Sequence, residues 1–225
     1  MSDTASDRPA LLLFDVNETL LDLAPLSASI NAVLPGGAEL WFTTMLQHAV
    51  GMSLAGRYAP LPEIGAAALR MLAEGRGTLL SPARAQMAIA PITRLPAHPD
   101  VAPALARLRA AGFRLATLSN STTAGLRAQL DFAGLARLFD AQFSVQDFRV
   151  YKPHASVYRG AAARMRVAPQ QAMLIAAHGW DVAGAGWAGL ATAFVCRGDK
   201  RPFPLGDEPA LVVRDLSELA DRLGA

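Results

Sequence analysis

Cysteine is nearly absent. Cys196 stands alone, which excludes an intramolecular disulfide framework and any cysteine-rich metal site, and fits a reducing compartment. It reads as a small hydrophobe closing a strand. Long apolar runs are missing too. The opening MSDTASDRP is polar and acidic with no basic stretch, and the apolar run behind it is soon interrupted by Asp15. Neither a signal peptide nor a transmembrane span is expected, so the expected location is cytoplasmic. Charge of one sign is scarce as well: 21 Lys and Arg face 19 Asp and Glu, for a net charge of +2. The basic residues form no dense cluster interleaved with aromatics, so no nucleic-acid partner and no membrane partner are expected. Internal repeats and low-complexity tracts are also lacking.

What is present is apolar. With 225 residues, 52% of them hydrophobic, the chain can bury a sizeable core as one domain, or as one domain carrying a large insertion. Short apolar runs recur at Leu11 to Val16, Phe113 to Leu118, Ala172 to Ala176, Ala191 to Cys196 and Ala210 to Val213, each far enough from the next for a helix. Such runs suit strands buried on both faces, so the pattern predicts an α/β fold with a parallel sheet. VAPALARLRAAG, TTAGLRAQLDFAG and ASVYRGAAARM read as the intervening helices, with Gly112 and Gly134 as stops. From about Pro25 to Arg94 the alternation breaks. GGAELWFTTMLQHAV, LPEIGAAALRMLAEG and SPARAQMAIA are helical patterns with no buried strand between them. This stretch reads as a helical cap entered near Asp22 to Pro25 and left near Pro91 to Pro99. The expected division is residues 1–24 and 95–225 as core and 25–94 as cap.

In such a sheet, ligands sit beyond the carboxyl ends of the strands. The first run, LLLFDVNETLLDL, places Asp15 there. A carboxylate at the end of a buried strand is costly to ionise without donors or a cation, so Asp15 is either a helix N-cap or a functional group. LATLSNST places Ser119 and Asn120 after a second strand, YKPHASVY supplies Lys152 and Tyr158, and MLIAAHGWDVAGAGWAG places His178, Trp180 and Asp181 after a third.

In order and spacing, these four segments resemble the haloacid dehalogenase superfamily, and the resemblance runs from Leu11 to Leu223. Within it the chain is most similar to the type II L-2-haloacid dehalogenases, which carry a helical cap between their first and second motifs. The resemblance implies a Rossmann-like core with an inserted cap and hydrolytic dehalogenation of a small 2-haloalkanoic acid through an aspartyl ester. It also implies a homodimer and no cofactor. Superfamily phosphatases need a second aspartate two residues after the nucleophile to protonate the leaving alcohol, and Asn17 stands there. Halide leaves as a stable anion and needs no such acid. Phosphatases also bind Mg²⁺ through carboxylates, whereas these dehalogenases use no metal.

By the same resemblance, Asp15 attacks C2 of the haloacid and Thr19 holds it by a hydrogen bond. Ser119 and Asn120 receive the substrate carboxylate. Lys152 keeps Asp15 ionised, Tyr158 bonds near the carboxylates, and Asp181 orients Lys152 or the hydrolytic water. Two departures stand out. The cap helix of these dehalogenases carries a Trp-Arg pair whose arginine receives the halide; here Trp41 is kept and Phe42 replaces the arginine. Such a contact is worth about 1.5–3 kcal/mol, a ten- to hundredfold effect on rate. In the last motif, Ala176 and His178 replace polar groups. A rebuilt pocket is expected, with His48, His178, Trp41 and Trp180 lining it and ring N–H groups in place of the guanidinium. Arg57 and Arg94, in or beside the cap, are cations that could fold back to supply the missing charge, and His98 and His154 read as exposed loop residues. Two rivals remain: an Mg²⁺-dependent, phosphatase-like hydrolase and a catalytically silent metabolite- or partner-binding member.

Overall fold

The computed structural model describes residues 8–225; the polar segment 1–7, part of the stretch read above as no signal peptide, lies outside the described residues. Leu11–Phe14 forms β1, whose four side chains are all fully buried. It sits mid-sheet, paired in parallel with β2 (Arg114–Ser119) on one side and β4 (Ala172–Ala176) on the other. With β3 (Ala141–Ser144), β5 (Ala191–Val195) and β6 (Leu211–Val213), the order is β3-β2-β1-β4-β5-β6, all pairs parallel. The chain moves outward to β3, then returns to β4 and moves the other way. This reversal opens a crevice at the carboxyl ends of β1, β2 and β4.

Four helices precede the second strand's own helix: α1 (Ala24–Val33), α2 (Ala38–Leu54), α3 (Leu61–Gly75) and α4 (Pro82–Ile89). Prolines near the starts of α1, α3 and α4 pre-set the first turn without losing a hydrogen bond. These helices pack mainly on one another, α1 on α2 and α4, and α3 on both α2 and α4. The entering and leaving segments are stitched together: Asp22 N donates to Pro96 O at 2.8 Å and His98 N to Leu20 O at 2.9 Å. The sheet's own helices are α5 (Val101–Ala110), α6 (Thr123–Phe132), α7 (Ala155–Arg164), α8 (Gly179–Trp187) and α9 (Leu216–Arg222). Right-handed crossovers put α5 and α6 on one face and α7 and α8 on the other, and α9 packs on α5.

The α/β class and the parallel sheet agree with the sequence reading, with local differences. β1 ends at Phe14, so Asp15 starts the loop rather than continuing the strand. β3 carries no apolar run: AQFS at the sheet edge is half-exposed in its first two positions and gives no continuous hydrophobic signal. The sequence reading also passed over α1 and α9.

Candidate active site

Asp15 follows β1, and its carboxylate meets groups from its own loop and from two other segments. Lys152 Nζ donates to Oδ1 at 2.8 Å; Thr19 Oγ1 at 2.7 Å and His178 Nδ1 at 3.1 Å contact Oδ2. Thr19 is itself oriented by Ala177 N, which donates to its Oγ1 at 2.9 Å. The Lys152 ammonium has three protons and three acceptors: Asp15, Asp181 Oδ2 at 2.6 Å and Leu118 O at 3.0 Å. Tyr158 donates to Asp181 Oδ1 at 2.5 Å. Lys152, Tyr158 and Asp181 are essentially excluded from solvent, so each polar atom needs a partner inside the protein, and here each has one.

His178 occupies the other end of this chain of contacts. Its Nε2 lies 2.7 Å from Glu18 Oε2, and Lys200 Nζ reaches the same oxygen at 3.0 Å. Carboxylates only accept hydrogen bonds, and a neutral imidazole carries a single N–H. A ring facing a carboxylate through both nitrogens is therefore an imidazolium. Burial pushes the His178 pKa down, but hydrogen bonds to Asp15 and Glu18 outweigh it and raise the value to about 9. Burial likewise pushes Asp15 up, and the Lys152 and His178 cations reverse this and hold it well below the carboxylate range. Burial lowers Lys152, and Asp15 with Asp181 raises it above its ordinary value. Glu18 adopts φ of 62°, a left-handed conformation that costs a non-glycine residue free energy.

A cavity of about 70 Å³ opens above Asp15 between the strand-end loops and the helices α2 to α4. Its floor is polar, with Asn17, Asn120, Ser121, Thr122, Gln129 and His178; its roof is apolar, with Trp41, Phe42, Met45, Leu46 and Leu61. Asn17 is immobilised there, since Gln129 Nε2 donates to its Oδ1 at 2.9 Å and its Nδ2 donates to Ser121 Oγ at 3.3 Å. Among the described residues, no Lys or Arg lines this cavity. A wider groove of about 650 Å³ adjoins it, bordered by Lys152, His178, Trp180, Lys200 and Arg201.

The structure thus gathers Asp15, Asn17, Thr19, Lys152, Tyr158, His178, Trp180 and Asp181 in one place. Other expected residues fall differently. Ser119 is fully buried and lies behind the cavity wall, where its Oγ accepts from Ser121 N at 3.1 Å; Asn120, Ser121 and Thr122 form the wall itself. Asn120 Oδ1 accepts from Lys152 N at 3.1 Å, tying the two motifs together. His48 corrects the expected lining: it is exposed, in a separate groove with Met52, Ala59 and Glu63. It shares Trp41's face of α2 but lies seven residues further along, about 10 Å of helix rise, beyond the end of the cavity. The idea of ring N–H groups standing in for a guanidinium also fails for two rings. Trp41 Nε1 donates to Gly65 O at 2.8 Å, and both His178 nitrogens face carboxylates. Phe42 instead stacks on His178, with centroids 6.2 Å apart and planes 21° apart. Arg57 and Arg94 are exposed and do not line the cavity. His98 is half-buried rather than exposed, with Nε2 3.0 Å from Glu18 O, while His154 caps α7. Sequence reasoning missed Glu18, Ser121 and Gln129. Glu18 sits inside the quoted DVNET motif, but its partners lie far along the chain.

No cluster of three His, Cys, Asp or Glu arranged to hold a metal occurs among the described residues, and Lys152 Nζ fills the space between Asp15 and Asp181. A divalent cation does not fit between these carboxylates while the ammonium is there.

Comparison with known proteins agrees with this geometry. Residues 9–189 match the model of the haloacid dehalogenase-like hydrolases. The chain is 30% identical over 222 residues to (S)-2-haloacid dehalogenase H-109 of Pseudomonas putida, covering 94% of this chain and 96% of that one. It is 32% identical to (S)-2-haloacid dehalogenase 1 of Pseudomonas sp. strain CBS-3, covering 84% and 85%. The L-2-haloacid dehalogenase of Xanthobacter autotrophicus, solved with chloropropionic acid covalently bound, superposes with a TM-score of 0.88 at 26% identity over 96% of this chain and 99% of that one. With its motifs converging on one buried carboxylate, the chain belongs to the haloacid dehalogenase-like hydrolase family.

Proposed function

We propose that this protein hydrolyses the carbon–halogen bond of a small 2-haloalkanoic acid, with Asp15 as covalent nucleophile, releasing halide and a 2-hydroxy acid. Residues 25–94 act as a cap that closes the apolar roof over a core of 1–24 and 95–225. The observation that carries the reading is the setting of Asp15. It is a carboxylate held ionised by Lys152 at 2.8 Å, beneath an apolar cavity, with an immobilised amide, Asn17, where a phosphatase would need an acid. Asp15 Oδ1 displaces halide at C2 in line, so the product inverts, and the resulting ester is cleaved by water at Cγ. Asn120, Ser121 and Thr122 face the cavity from the loop after β2 and receive the substrate carboxylate. The small cavity and its bulky roof favour substrates with short side chains. The names of the relatives and the covalently bound chloropropionic acid in the superposed structure support the same substrate class.

The reaction needs no metal in this reading, because Lys152 supplies the positive charge between Asp15 and Asp181. The test is halide release from L- and D-2-chloropropionate and chloroacetate in EDTA, with Asp15→Asn as control. Release from one enantiomer that survives EDTA and vanishes in Asp15→Asn is expected. Turnover that requires added Mg²⁺ would point to the phosphatase-like chemistry instead, and binding without turnover to a silent fold.

A further inference from the structure

The two oxygens of Asp15 are not equivalent. Oδ1 accepts from Lys152 Nζ at 2.8 Å and keeps acceptor capacity to spare, whereas Oδ2 is contacted by both Thr19 Oγ1 at 2.7 Å and His178 Nδ1 at 3.1 Å. The donors on Oδ2 come from a threonine pinned by Ala177 N and a histidine anchored by Glu18 at 2.7 Å. We infer that Oδ1 is the attacking oxygen and that His178, with Thr19, forms the oxyanion hole for the second step, hydrolysis of the aspartyl ester. This rests on the dehalogenase reading above.

In that step a water oxygen adds to Cγ of Asp15 and the carbonyl π pair moves onto Oδ2. The tetrahedral species collapses by breaking the bond between Cγ and Oδ1, and Oδ1 departs with the substrate carbon as the hydroxy acid's oxygen. Of the two water protons, one ends on that oxygen and the other leaves to solvent, so Asp15 returns as a carboxylate holding one oxygen from water. Charge grows on Oδ2 only here. A cationic N–H donor fixed at Oδ2 before the reaction stabilises this charge without reorganising. In the first step the same donor works the other way, because it stabilises the carboxylate that must attack. His178 is therefore expected to speed hydrolysis and not alkylation. The wide groove reaches His178 and Lys152, the two groups that contact Asp15 from either oxygen. Glu18 acts through His178 as a positioning residue: it fixes the ring and holds it cationic.

The charged groups around the ring are Asp15 and Glu18 from the loop after β1, Lys152 from the turn before α7, Asp181 from α8, and Lys200 and Arg201 from the loop after β5; α2 contributes Phe42. The experiment mixes enzyme with L-2-chloropropionate, quenches on the millisecond to second scale, and reads chloride together with the intact protein mass. His178→Gln is expected to release its first equivalent of chloride at least as fast as the wild type, then turn over on the order of a hundredfold more slowly, with the ester accumulating on the protein. Glu18→Gln, which keeps a neutral contact to the ring, is expected to slow hydrolysis about tenfold and move its basic limb to lower pH. A His178→Gln protein that loses the chloride burst and turnover together, or turns over without accumulating ester, overturns the assignment. So does an unmoved basic limb in Glu18→Gln. Wild-type protein that releases no chloride from any haloacid would instead remove the dehalogenase reading beneath it.

Discussion

Lys152 has no donor to spare, and that fixes what its loss would do. Its three acceptors include two buried carboxylates, Asp15 and Asp181, which no other cation touches directly except His178 on the Asp15 side. Lys152→Met keeps the length of the side chain and leaves these carboxylates facing each other. We expect about 3–5 kcal/mol of lost stability in urea unfolding, the usual cost of removing one partner of a buried pair, together with loss of turnover. His178 sets the pH dependence. Its pKa rises from the ordinary 6.5 in the unfolded chain to about 9 in the folded protein. Folding therefore takes up a proton between these values. The stabilisation from His178 is complete below about pH 6.5 and is lost as pH rises through about 9. Thermal unfolding followed from pH 6 to 10 should show this loss in the wild type and a flatter profile in His178→Gln. At this scale the grouping of Asp15, Thr19, Lys152, Tyr158 and Asp181 was readable because the segments that carry them match a family pattern in order and spacing. Glu18, Ser121 and Gln129 were not, since their roles come from partners on other segments that no local spacing reveals.

Helices position these residues through a few close approaches. At Gly184 in α8, an added Cβ would lie 2.4 Å from Pro153 Cβ and 3.1 Å from the Tyr158 hydroxyl. Only glycine lets α8 sit this tightly against the turn that carries Lys152. Gly184→Ala is expected to cost about 1–3 kcal/mol by overpacking and to lower kcat by displacing Lys152, measured by urea unfolding and steady-state kinetics. Trp41 on α2 is locked to α3 by its bond to Gly65 O, where an added Cβ would lie 3.0 Å from Met45 Sδ. Trp41→Phe removes that bond and should cost about 1 kcal/mol, seen as a lowered urea midpoint. The long apolar strands and the cap helices α2 to α4 were readable from their hydrophobic periods. β3 was not, because an edge strand such as AQFS carries no two-sided apolar run, and α1 was masked by its alternation of Ser, Asn and small apolar residues.

For the whole molecule, the parallel sheet, helices α2 to α4 and the strand-end loops meet at one crevice. The sequence marked its place, because the apolar runs end where the polar motifs begin. It could not show what Phe42 packs against. The structure answers that Phe42 stacks on the cationic His178, and that no Lys or Arg lines the cavity among the described residues. Halide departure must then rely more on the leaving group itself. 2-Bromopropionate should outpace 2-chloropropionate in the chloride- or bromide-release burst by more than about tenfold, a difference of roughly 1.4 kcal/mol in barrier, read by rapid quench. Among the described residues, no helix is long and apolar enough to cross a membrane. The central claim is that Asp15 becomes the ester and then recovers its oxygen from water. It is tested most directly by a single turnover in H₂¹⁸O, with enzyme in excess over L-2-chloropropionate, followed by mass analysis of the hydroxy acid and of the peptide containing Asp15. Heavy oxygen in the Asp15 peptide and none in the hydroxy acid is the expected result. Heavy oxygen in the product with an unlabelled peptide would mean that water attacks the substrate directly, and would contradict the account.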